Sequence, residues 1–163
     1  SLWDSPTVIE DSFDIIEYSL PGKIELGSNV SIDLVEVPHL IQTSAVDLTA
    51  INADQSRSRI TYGADCGFNQ NLIDLAQDSP LLIAEATMPE DQISEDGPCF
   101  HMSAHQAGEL ARKSRVKQLV LTHFSERYSS EWMIEEVRRS RFSGQILLAS
   151  PGMTLSDSLV IYE

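Results

Sequence analysis

Apolar and polar residues alternate along the first half of the chain and recur at helical spacing along the second. Ser31-Ile32-Asp33-Leu34-Val35-Glu36-Val37 alternates and stops at Pro38-His39, which predicts a strand ended by a proline. Residues 45–51 predict a second strand, with Val46, Leu48 and Ala50 on one face. Residues 52–58 then form a polar hairpin loop before a third strand at 59–64. Upstream, residues 3–18 are acidic and weakly patterned, and Pro21-Gly22 marks a turn, so the first complete strand is expected at Ser31.

Beyond residue 64 strands alternate with helices, which implies a parallel sheet. Leu72, Ile73, Leu75 and Ala76 predict a short helix, and Pro80 precedes the continuous apolar strand 81–84. Ser103 and Gln106 stand at capping-box spacing ahead of a narrow stripe of Ala104, Ala107, Leu110 and Ala111. Residues 117–122 predict the next strand. A helix follows at 130–139, with Glu131 in its first turn and Arg138 and Arg139 in its last, as the helix dipole favours. Residues 145–149 and 159–162 are expected as closing strands. No repeat, linker or biased segment interrupts the pattern, so residues 1–163 read as a single domain.

Charge sharpens this picture. Eleven basic residues face 25 acidic ones, a net charge of −14. The first hundred residues hold three basic and eighteen acidic residues, whereas all eight basic residues of the remainder fall between Arg112 and Arg141. A long nucleic acid would meet net repulsion, because its affinity rests on phosphate neutralisation; a small anionic ester fits a locally neutral mouth. No apolar run approaches the roughly 18 residues of a membrane span, so no membrane partner is expected. Ser1-Leu2-Trp3-Asp4 lacks the pattern of a signal peptide. Cys66 and Cys99 make neither a disulfide framework nor a CxxC pair, so the expected setting is reducing and cytoplasmic.

Candidate chemistry sits where strands end. His39 follows the first predicted strand, Asp65 the third, and His123 the strand at 117–122. In open α/β sheets, ligands gather beyond the carboxyl ends of strands. Taken singly, each residue has an ordinary alternative: a capped loop histidine, or an aspartate in a turn. Together, two imidazoles and a carboxylate suit a zinc-type site.

Four segments occur in one order: Gly63-Ala64-Asp65-Cys66, Leu81-Leu82-Ile83-Ala84-Glu85-Ala86, His101-Met102-Ser103-Ala104-His105-Gln106-Ala107-Gly108, and Leu119-Val120-Leu121-Thr122-His123-Phe124. The series resembles the C-terminal half of the metallo-β-lactamase superfamily, in its ribonuclease Z-like phosphodiesterase branch. The stretch from Val37-Pro38-His39-Leu40 to Leu48 resembles the family segment holding the third metal motif. The resemblance implies an α/β fold, the family's αββα sandwich represented by its second half: a mixed sheet with helices on the outer face. It implies two divalent metal ions, zinc first and manganese next. His39 is then similar to a ligand of the first metal, Asp65 to the carboxylate bridging both, and His123 to a ligand of the second. His101 resembles the family's proton donor near the leaving group, Asp65 shares in catalysis, and Glu85 supports them from behind. His105 is expected at the surface or in packing. Cys66, where the family carries Ser or Thr, is expected to pack inertly, with no basic neighbour in sequence to make a thiolate.

The expected function is a metal-dependent hydrolase acting on small phosphodiesters of the cyclic-nucleotide kind. The alternatives are a non-catalytic binding or assembly subunit, an arylsulfatase or other ester hydrolase, and ribonuclease Z-type RNA processing. The family's His-x-His-x-Asp-His does not occur in this sequence, which leaves three of the family's seven ligands. The expected partners are therefore a small anionic ester, a missing N-terminal half or second chain, and another copy in a homodimer. Alone, the chain is expected to be inactive. His39 and Asp65 are 26 positions apart with a hairpin between them. That interval lacks the RNA-gripping arm that transfer-RNA-processing members commonly insert there.

Overall fold

In the computed structural model, which describes residues 13–93, 99–155 and 160–161, seven strands lie side by side in chain order: β1 (Gly22–Leu26), β2 (Val30–Val37), β3 (Thr43–Ile51), β4 (Arg57–Tyr62), β5 (Leu81–Glu85), β6 (Gln118–Thr122) and β7 (Gln145–Leu148). The first four pair antiparallel and the last four parallel, so the sheet is mixed. Each parallel step is bridged by a helix: α1 (Gln70–Leu75), α2 (Ala104–Lys113) and α3 (Ser130–Arg139). A separate two-stranded ribbon joins β8 (Thr154–Leu155) to β9 (Val160–Ile161).

The sequence signals behind these elements act as expected. Ser103 caps α2 with both bonds of a capping box, and Asn69 and Ser129 accept the free amides at the starts of α1 and α3. Arg138 and Arg139 close α3 where the dipole is negative. All three helices lie on one face of the sheet. There Leu72, Met102, Leu110, Met133 and Val137 pack onto Val37, Ala45, Leu82, Ala84, Leu119 and Leu121. Gly108 lets α2 and α3 approach closely, since a Cβ there would stand 2.5 Å from Ser140 Oγ and 2.9 Å from the Val137 carbonyl oxygen. The opposite face carries the other parity: Ile24, Leu26, Ile32, Leu34, Val46, Leu48, Ile60 and Tyr62. Of these, Leu26, Leu48 and Tyr62 are exposed.

Three expectations change. The turn at Pro21-Gly22 opens directly into β1, whose Gly-Lys-Ile-Glu-Leu alternation adds an edge strand ahead of Ser31. The third predicted strand spans Arg57–Tyr62 rather than 59–64, because the hairpin loop closes early through the Asn52 amide on Ser56 and Ser58. The strand expected at 159–162 pairs with β8 instead of the main sheet, and Leu159 and Tyr162 lie outside the described residues, as does the acidic stretch 3–12.

Candidate metal centre

Topology brings the candidate residues together. Since β2 is antiparallel to β3 and β3 to β4, β2 runs the same way as the parallel set β4, β5 and β6. The carboxyl ends of four strands therefore share one sheet edge, where polar side chains converge. His39 leaves β2 after Pro38, Asp65 leaves β4 after Gly63-Ala64, Glu85 ends β5, and His123 leaves β6.

Two local devices aim these side chains. Ala64 and His123 both adopt left-handed backbone, at φ 56° and 52°, which turns the chain sharply off β4 and β6. Gly67 then takes the Cys99 carbonyl oxygen against its backbone; a Cβ there would stand 1.8 Å from that oxygen. The Gly67 amide bonds the Pro38 carbonyl at 3.1 Å. Gly67 thus ties together the loops that carry His39, Asp65 and His101.

Glu85 is the buried anchor, with its side chain 0% exposed. Its Oε1 accepts from the Cys66 amide at 2.8 Å and from His101 Nδ1 at 2.8 Å. Its Oε2 accepts from the amides of Thr87 and Met102, each at 3.2 Å. A buried carboxylate is tolerated where its lone pairs are so satisfied. Outward from this anchor, exposure rises through His101, 27%, to Asp65 and His123, 39% and 49%.

The partners assign the ring protons. The Phe100 carbonyl can only accept, so His39 Nδ1, 3.2 Å away, carries the hydrogen. His101 Nδ1 likewise donates to Glu85. His123 Nδ1 faces Asp65 Oδ1 at 3.2 Å and Thr87 Oγ1 at 2.8 Å. Among the described residues, no hydrogen bond is made to Nε2 of any of the three imidazoles. The ring centroids stand 5.2 Å apart for His39–His101 and 6.0 Å for His101–His123.

This donor set fits a divalent ion of borderline softness. Neutral imidazoles with a hydrogen-bonded Nδ1–H and an exposed carboxylate are what such ions take. Glu85, His101 and His123 bring donor atoms within 4.8 Å of one another. Glu85, however, already accepts four hydrogen bonds, one of them from His101, so the donors left for an ion are His39, His123 and Asp65.

The other sequence candidates separate from this group. His105 sits half-buried on α2 and lines a shallow groove with Glu109, Arg112 and Arg139. Cys66 is fully buried; desolvation, then the Glu85 charge, pushes its thiol up to about 12. Thr87 went unremarked in the sequence. The signal for it was spacing: it stands two residues beyond Glu85, on the same side of an extended segment.

Comparison with known proteins agrees with this architecture. A model described as the beta-lactamase superfamily domain matches residues 4–124. Ribonuclease Z of Salinispora arenicola is 30% identical over 124 residues, 76% of this chain and 40% of that protein. The chain thus spans well under half the length of that relative. Among solved structures, the metallo-beta-lactamase fold protein YhfI from Bacillus subtilis superposes with a TM-score of 0.69 at 24% identity, over 83% of this chain and 51% of that one. Human tRNase Z, short form, superposes with a TM-score of 0.57 at 23% identity, over 85% and 45%. These two likenesses concern the fold, which is the mixed sheet with helices on its outer face. With the family match covering most of its length, the chain belongs to the metallo-β-lactamase superfamily, in its ribonuclease Z-like branch.

Proposed function

We propose that the chain supplies the C-terminal half of a metal-dependent phosphodiesterase of the ribonuclease Z kind, whose substrate is RNA. The observation that supports this reading is the gathering of His39, His101, His123 and Asp65 at one sheet edge, with ring centroids 5.2 and 6.0 Å apart and Asp65 3.2 Å from His123, in a sequence resembling proteins named ribonuclease Z. His39, Asp65 and His123 would hold the metal, with the remaining ligands coming from a segment outside this chain. Divalent ions held there would lower the pKa of a water and clamp the phosphate oxygens. His101, whose Nδ1–H is held by Glu85, would take up a second proton at Nε2 and deliver it to the leaving oxygen. Glu85 orients that ring through Nδ1 and sets a negative charge against its protonated form.

A second reading, a small phosphodiester substrate, draws on two features. The chain is strongly acidic over its first hundred residues, and between His39 and Asp65 there is only the β3–β4 hairpin. One experiment separates the two. The chain is co-expressed with a polypeptide carrying His-x-His-x-Asp-His, and the complex is assayed with zinc or manganese. Its substrates are a labelled transfer-RNA precursor, 3′,5′-cyclic AMP and bis(4-nitrophenyl) phosphate. The proposal expects metal-dependent, chelator-sensitive cleavage of the RNA. Cleavage of the small diesters alone would transfer the site to the second reading, and cleavage of none would overturn the enzyme assignment.

A further inference from the structure

We infer that Thr87 is a positioning residue for His123, fixing both the backbone and the ring tautomer of that histidine so that Nε2 is the atom presented to a metal. The inference rests on the metal-site reading above, with its own test independent of RNA cleavage.

The geometry is a two-point clamp. Thr87 Oγ1 donates to the His123 carbonyl at 2.9 Å, and the same oxygen lies 2.8 Å from His123 Nδ1. A hydroxyl has one hydrogen. With that hydrogen on the carbonyl, Oγ1 can only accept from the ring, so Nδ1 carries the proton. Asp65 Oδ1, 3.2 Å from the same nitrogen, demands the same assignment, because an ionised carboxylate has nothing to donate. The two acceptors differ in one respect. Asp65 is partly exposed and is itself a candidate ligand, so its oxygens are open to capture by an ion, whereas Thr87 stays in place.

The clamp is also built into the sheet. The Ala86 amide bonds the Thr122 carbonyl at 3.0 Å, carrying the β5–β6 ladder one step past Glu85 and fixing Thr87 beside His123. That histidine occupies the left-handed region without being glycine, a conformation that surrounding contacts must hold. The extension of β5 thus serves both rings: Glu85 fixes His101 and Thr87 fixes His123.

The test is the tautomer of His123, read from two-dimensional ¹⁵N spectra of its ring in the metal-free 163-residue chain. In wild type the proton is expected on Nδ1. Asp65→Ala should leave it there, since Thr87 remains. Adding T87V to that variant should move it toward Nε2, and serine at position 87 should restore it. In a zinc titration followed on the His123 signals, T87V alone should weaken binding about tenfold, the lower end of what hydrogen-bond partners of metal ligands are worth. An Nε2 proton in wild type or in Asp65→Ala, or an unmoved Nδ1 proton in the double variant, would overturn the inference. An Nε2 proton in wild type overturns the inference without any variant, and T87V alone, with Asp65 intact, separates the two residues in the zinc titration. A complex inactive on RNA, with these spectra as expected, would refute the proposed function and leave the clamp standing.

Discussion

Both carboxylate oxygens of Glu85 are occupied by the protein itself, and the buried Cys66 gives its backbone amide to Oε1. The same burial that makes Glu85 an anchor keeps the thiol protonated. With its pKa pushed up to about 12, Cys66 gains no thiolate on passing from pH 7 to pH 9. Alkylation by iodoacetamide, followed by peptide mass spectrometry, should therefore leave Cys66 of the folded chain unmodified across that range. Modification should appear after unfolding in denaturant, where a cysteine titrates near 8.5. Fast labelling of native Cys66 at pH 7 would contradict the buried assignment. Residues at this scale were legible where the chain punctuates itself. Pro38 stops β2 as expected and His39 is thrown to the edge, whereas β4 stops at Tyr62, ahead of the Gly63-Ala64 that the sequence pattern would include. Thr87 was not legible, because its partner lies 36 positions away and only the β5–β6 register brings the two together.

Among the elements, α1 is the shortest helix and depends on one side chain from the sheet. Arg59 on β4 pairs its Nε with Asp47 at 2.8 Å and sends its two terminal nitrogens to the carbonyls of Gln77 and Leu75, at 2.7 and 2.6 Å. It thereby joins Ser114 and Gln77, which donate to the Ile73 carbonyl, in capping the C-terminal end of α1, and sets positive charge at the negative end of the dipole. Asp47 is buried and also accepts from Thr61 at 2.6 Å, so removing the arginine would strand a carboxylate under the helix layer. Arg59→Met should cost about 3 kcal/mol, the usual penalty for breaking a buried pair from one side. Urea unfolding checks this, and a loss below about 1 kcal/mol would show the pair to be a surface-like contact. The helices and inner strands were legible from caps and apolar runs. β1 was not, because a Pro-Gly pair reads as a turn whether or not a strand starts within it. The placement of β9 was not legible either, since two paired residues carry too little pattern to say which sheet they join.

For the whole molecule, the two sheet faces have unequal fates. One is covered by three helices, whereas Leu26, Leu48 and Tyr62 on the other remain exposed. Contiguous apolar surface of this kind marks an interface. The isolated chain should self-associate, with a sedimentation-derived mass above its 18.1 kDa that falls when the chain is co-expressed with a polypeptide carrying His-x-His-x-Asp-His. A monodisperse monomer at tens of micromolar would contradict this. Among the described residues no helix is long and apolar enough to cross a membrane. The central claim, that this sheet edge is half of a metal centre, is tested most directly by metal content and phosphodiester turnover measured on the same samples of the assembled protein. Asp65→Ala should lower both together. His101→Ala should keep its metal and lose roughly 10²–10⁴-fold in kcat on RNA, the worth of a general acid. That deficit should shrink on bis(4-nitrophenyl) phosphate, whose leaving group departs without a proton. An Asp65→Ala protein that retains its full metal content, or a His101→Ala protein that loses it, would contradict the assignment.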